Sequence, residues 1–172
     1  MPTCPRCAAL AAALALLVFS GCDTNNPGRD LATVEGRYAV SELTFDPQAT
    51  ALDEVDVAAS LNDAETSLRI FGNDEESLFV IEPIGGGSRR IDLQTTVSRG
   101  RVTFEAVTQE DENDLAEFLL PPEFTLEFEG ERPAALEATL TRRDVNLEAY
   151  DPDRYQGLRN TSGQLRVRFE RL

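Results

Sequence analysis

Period-two alternation of apolar and polar residues, recurring from Val34 to the end of a 172-residue chain, constrains this sequence most. Phe124, Leu126 and Phe128 alternate with Glu123, Thr125, Glu127 and Glu129. Leu165, Val167 and Phe169 alternate with Gln164, Arg166, Arg168 and Glu170. Successive side chains of a strand point to opposite faces, so each pattern buries one face and wets the other. Ile91-Leu93-Thr95-Val97 and Val102-Phe104-Ala106 repeat it across Arg99-Gly100, a hairpin signal. Leu68 to Phe71 and Leu78 to Pro83 form a second pair around Gly72-Asn73-Asp74, and Leu136, Ala138 and Leu140 mark another strand. With Arg37 to Phe45 at the start, this makes about eight strands, which suits one antiparallel barrel or two-sheet sandwich with one or two short helices.

Two segments break the pattern. Leu52 to Leu61 reads as a strand through Val55, Val57 and Ala59, or as a helix through Leu52, Val55 and Ala58. Asp114 to Leu120 reads as a short helix, with Asp114 as its cap, Glu117 closing the reciprocal box and Pro121-Pro122 stopping it. Asp46-Pro47 ends the first strand, Asp151-Pro152-Asp153 starts a turn, and Asn160 to Gly163 turns into the last strand. Gly85-Gly86-Gly87-Ser88 is a connection into Arg89-Arg90, since no Lys and Ser/Thr follow as in a phosphate loop.

Composition narrows the chemistry. The chain has no histidine, no tryptophan and no lysine, and its one methionine is Met1. Without histidine there is no ready general base near neutral pH and no imidazole ligand. Without lysine there is no Schiff base. No cofactor, metal or catalytic residue is expected. Sixteen arginines stand against 31 acidic residues, a formal net charge of −15. Such a surface repels nucleic acid and anionic headgroups. Acidic excess without lysine resembles the proteins of salt-loving bacteria, where a screening length of ~3 Å tolerates dense like charge.

The first residues carry an address. Arg6 and the chain amine precede an uncharged apolar run from Ala8 to Phe19, then Ser20-Gly21 and Cys22. Twelve apolar residues fall short of the ~20 that cross a bilayer. Leu17-Val18-Phe19-Ser20-Gly21-Cys22 resembles a lipobox, the end of a bacterial lipoprotein signal peptide. That resemblance implies export, cleavage before Cys22, lipidation of Cys22, and a place in the cell envelope on an outer-membrane or periplasmic face. Residues 1–21 are then a signal peptide, 22–33 the lipidated cysteine with a polar tether, and 34–172 a single globular domain. The acyl chains, rather than a basic patch, would hold the membrane. Cleavage discards Cys4 and Cys7, so Cys4-Pro5-Arg6-Cys7 carries no metal or redox role, and the domain has no disulfide.

Gly36-Arg37-Tyr38 on the first strand and the arginine-bearing strand that closes the chain resemble the lipocalin and calycin pattern. In that family a Gly-x-Trp on the first strand has a late arginine packed across it. Tyr38 stands here in place of tryptophan, and Arg166, Arg168 or Arg171 could be the partner. The resemblance implies a barrel and a small apolar ligand within it. Leu78-Phe79-Val80-Ile81 is apolar on both faces, so Tyr38, Val40, Phe79 and Ile81 are the candidate pocket residues. The plainer reading covers both faces of that strand, for instance with the 114–120 helix.

Three functions remain open. The first is a non-enzymatic envelope lipoprotein that offers its β domain to another envelope protein. The second is a carrier of a small apolar molecule. The third is a carboxylate-based hydrolase, which needs two facing acids ~5 to 9 Å apart. Glu110-Asp111-Glu112-Asn113-Asp114 reads as a calcium loop or as a solvated run favouring the next helix's N-terminus. Oligomeric state is open.

Overall fold

The computed structural model describes residues 27–49, 51–62 and 65–172. Cys22, the signal-peptide reading and the Cys4–Cys7 pair lie outside the described residues. Among the described residues, no helix is long and apolar enough to cross a membrane.

The chain opens with helix α1 (Pro27–Val34), followed by strands β1 (Gly36–Pro47) and β2 (Val55–Asp56). Next come β3 (Ser67–Ile70), β4 (Glu76–Ile81), β5 (Arg89–Ser98) and β6 (Arg101–Ala106). Helix α2 (Gln109–Glu117), β7 (Glu123–Glu127), β8 (Ala135–Val145), helix α3 (Leu147–Tyr150) and β9 (Thr161–Arg171) complete it. Every pairing is antiparallel, and the order β1-β3-β4-β5-β6-β7-β8-β9 returns to β1 through the β1–β9 ladder. The result is a closed eight-stranded barrel, with the two-residue β2 added on the free upper half of β1. Closure removes the exposed edges that a sandwich would leave.

The alternation builds the wall directly. Ile91, Leu93, Thr95 and Val97 of β5 point inward and are buried, while Asp92, Gln94, Thr96 and Ser98 face water. Leu165, Val167 and Phe169 do the same on β9. At the β5–β6 hairpin, Arg99 (φ 50°) and Gly100 (φ 77°) both take positive φ. Such a two-residue turn matches the twist of the flanking strands.

Both ends of the barrel are closed. Leu31 and Val34, three apart on α1, are buried at one end, where Arg132 N–H also bonds Thr33 O at 3.0 Å. The stretch expected to be tether is thus helical from Pro27, and it belongs to the domain because its two apolar side chains plug the barrel. The longer connections close the other end with Val57 and Leu61, with Leu115, Phe118, Leu119 and Leu120, and with Leu147 and Tyr155.

Three local expectations change. The helix expected at 114–120 starts at Gln109, because Thr108-x-x-Asp111 closes a capping box before Asp114-x-x-Glu117 can. Residues 52–61 divide between β2 and a 3-10 turn at Ala58–Ser60, so neither a full strand nor a full helix forms. Thr161 to Gly163 already lie in β9 rather than in a turn.

Candidate functional site

Tyr38 and Arg171 form a clasp where the first and last strands meet. The Tyr38 hydroxyl donates to Val34 O at 2.7 Å, satisfying a carbonyl at the end of α1. It accepts from Arg171 Nη2 at 2.8 Å, and Arg171 Nε donates to Pro133 O at 3.0 Å. The guanidinium stacks 5.0 Å from the Tyr38 ring centroid. Burial pushes the Tyr38 phenol above its usual value, and the charge and hydrogen bond of Arg171 only partly offset it. A Cβ on Gly36 would sit 2.7 Å from Arg171 Nη1, so glycine lets the guanidinium cross the strand. Of the three arginines open at the sequence level, Arg171 is the one that packs across Tyr38. Arg166 pairs outward with Glu42 at 2.8 Å and Glu54 at 2.9 Å, and Arg168 pairs with Glu137 and Glu170.

Tyr38, Val40, Phe79 and Ile81 all point into the barrel, at 0%, 5%, 0% and 0% exposure. A water-sized sphere therefore finds no surface on three of them, from inside or out. Phe79 instead meets Phe169 edge to face, centroids 5.5 Å apart, while Phe104 lies 5.3 Å from Phe124. These four residues share one face, and the space between them is filled by side chains. Leu78 and Val80 face outward and stay half-buried beside Phe71 and Arg69; α2 packs on β5 and β6.

Free space lies on the outside of the wall, over β5 to β9. Thr96, Thr103 and Thr125 sit opposite one another on three adjacent strands, with Thr103 Oγ1 and Thr125 Oγ1 hydrogen-bonded at 2.8 Å. They floor a concavity of about 680 Å³ with Ser98, Arg99 and Arg101. A cleft of about 360 Å³ continues it over Thr125, Thr139 and Leu140, and a hollow of about 630 Å³ adjoins both across Arg101, Glu127 and Phe128. Short hydroxyl side chains make the floor, and long paired ones make the walls: Arg101–Glu127 at 3.2 Å and Arg168–Glu137 at 2.6 Å. The trough offers hydroxyls and fixed charges, suited to a polar ligand or a partner's surface. Its threonines were visible only as wet-face positions, because their alignment depends on strand register, which alternation alone does not supply.

The acidic run 110–114 is absorbed by α2. Glu110, Asp111 and Glu112 fill the helix's first turn, and the Asp111 carboxylate accepts from Thr108 N–H (2.9 Å), Thr108 Oγ1 (2.6 Å) and Asp92 N–H (3.0 Å). Burial raises the Asp114 carboxyl, Arg89 at 3.4 Å opposes this, and Glu117, Glu110 and Asp111 add to the rise. On α3, Glu148 is held below the usual carboxylate range by its hydrogen bonds from Arg159.

No family model and no curated protein matches this chain. Two solved structures align with it. One is a lipocalin-like protein from Bacteroides uniformis, at 8% identity and a TM-score of 0.46, spanning 81% of this chain and 99% of that one. The other is an uncharacterized protein from Bacteroides eggerthii, at 10% identity and a TM-score of 0.41, spanning 80% of this chain and 98% of that one.

Proposed function

We propose that this chain is an exported, lipid-anchored, non-enzymatic binding module that meets its partner on the outer face of its barrel. The filled interior carries this reading: Tyr38, Phe79 and Ile81 expose no surface, and both barrel ends are plugged. The trough over Thr96, Thr103 and Thr125 supports an external site. Anchoring at Cys22 rests on the lipobox resemblance, with the acyl chains in the outer membrane or facing the periplasm. Only four residues then separate Cys22 from α1, so the reach from Cys22 to Pro27 is at most about 18 Å. The domain would ride close to the bilayer, and the partner would be another envelope component.

A small apolar guest among Tyr38, Val40, Phe79 and Ile81 is the second reading. Their common inward face favours it, and the lack of free space beside them weighs against it.

The test is a photo-crosslinking residue placed at Thr139 in the trough or at Glu76 on β4, in cells making the full chain. A discrete adduct is expected from position 139, lost when Arg101 and Arg168 are both replaced by glutamate. Equal labelling at both positions, or an adduct indifferent to those two arginines, would rule out the trough.

A further inference from the structure

The barrel wall is incomplete between β7 and β8. Their ladder consists of the single pair Glu127↔Glu137, whereas β8 pairs along almost its whole length with β9. Beyond Glu137, β7 and β8 form no further ladder pair among the described residues, and Thr125 faces Thr139 and Leu140 across an open cleft. The consequence shows in the inward-facing residues of β8. Leu136 is fully buried, but Ala138, Leu140 and Arg142, at successive inward positions, remain partly exposed. Ala138 and Leu140 pack on the core and also line the 360 Å³ cleft that opens at this seam.

Arg142 is the anomaly. It is an arginine on the core side of the wall, with Gly163 as its neighbour on β9. Its Nε is buried and has no hydrogen-bond partner, and it makes no ion pair among the described residues. Burial lowers the guanidinium's pKa, and no carboxylate offsets that shift. This occurs in a chain with 31 acidic residues, where Arg89, Arg101, Arg159, Arg166 and Arg168 all hold carboxylates. A guanidinium stays protonated in a protein, so its desolvation cost persists until an anion meets it.

We propose that the β7–β8 seam binds a small organic monoanion, with its carboxylate on Arg142 and its apolar part along Leu140 and Ala138. The planar guanidinium fork matches a carboxylate, and residues two apart on a strand lie ~7 Å from each other, the length of a short alkyl chain. The net charge of −15 favours a singly charged ligand over a polyanion. The site stands whether or not the chain is lipid-anchored; its cleft continues the threonine trough past Thr125, and Arg142, rather than Arg101 and Arg168, is the cation that defines it.

The test is a titration of the full chain, held in a neutral glucoside detergent, with hexanoate, hexanol and inorganic phosphate. The reporter is the Arg142 Nε–H resonance, assigned in the wild-type chain. Hexanoate should shift it saturably, with an apparent affinity at least about tenfold above that of hexanol or phosphate. Arg142→Met should lose hexanoate binding by a similar factor and gain thermal stability, because it removes a partly desolvated cation that has no partner among the described residues. Equal binding of hexanoate and hexanol, phosphate acting as strongly as hexanoate, or saturation without movement of the Arg142 signal would each overturn the assignment. The wild-type resonance decides the matter even if Arg142→Met fails to fold.

Discussion

Replacing Tyr38 with phenylalanine removes one oxygen and leaves the ring in place. Val34 O then loses its 2.7 Å hydrogen bond inside the barrel, and Arg171 Nη2 loses its 2.8 Å acceptor. An unsatisfied buried carbonyl costs ~1 to 3 kcal/mol, and a hydrogen bond to a charged donor contributes ~1.5 to 3 kcal/mol. Arg171 can recover part of the loss through water, since it is only partly buried. The net cost should be ~2 to 3 kcal/mol, lowering Tm by roughly 4 to 12 °C for a domain of this size. Urea unfolding followed by circular dichroism measures it. Arg171→Met should cost a comparable amount, and the double variant should cost clearly less than the two together. The same clasp has a pH signature. Burial holds the folded Tyr38 pKa above its ordinary value of 10.0, so above pH 10 the unfolded chain gives up this proton first. Stability from this group is complete below pH 10 and falls as pH rises through the folded pKa. Tyr155 is raised in the same sense by burial, so the comparison belongs in a Tyr155→Phe background. A cost under 0.5 kcal/mol, strict additivity with Arg171→Met, or an alkaline slope unchanged by Tyr38→Phe would refute the clasp.

Gly163→Ala should destabilise by ~1 to 3 kcal/mol in urea, because its Cβ would collide with Asp46 O and stand 2.7 Å from the Phe45 ring. Thr108→Ala should cost ~1 kcal/mol through loss of the α2 cap, and Asp111→Ala more, since it also strands Asp92 N–H; the urea midpoints rank the two. The urea midpoint of the whole chain should rise from dilute buffer to 1 M NaCl, as screening falls to ~3 Å and relieves the net charge of −15; a flat response would remove the salt-adapted reading.

Much of the wall could be read from the sequence because burial on one face forces period two. β1, the β3–β4 and β5–β6 hairpins, β7 and β9 stand within a few residues of the patterned segments. Barrel and sandwich could not be separated that way, since closure depends on the β1–β9 ladder, a contact more than a hundred residues long-range. The start of α2 was misplaced because two capping boxes compete in one acidic run, and only Asp111 also reaches Asp92 N–H. Gly36, Tyr38 and a late arginine were legible as a set, while the choice of Arg171 needed the register. Arg142 falls two residues after Leu140, on the apolar face by period two, but alternation alone cannot tell a charge held there from the end of the strand until the seam beside it is seen.

The most direct test of an anchored module with a filled barrel is the native mass of the chain recovered from its envelope in neutral detergent. The account requires a polypeptide beginning at Cys22, carrying acyl groups on that residue, with no uncharged apolar guest released on denaturation. A chain with unmodified Cys22, or a stoichiometric apolar molecule freed on unfolding, would contradict it.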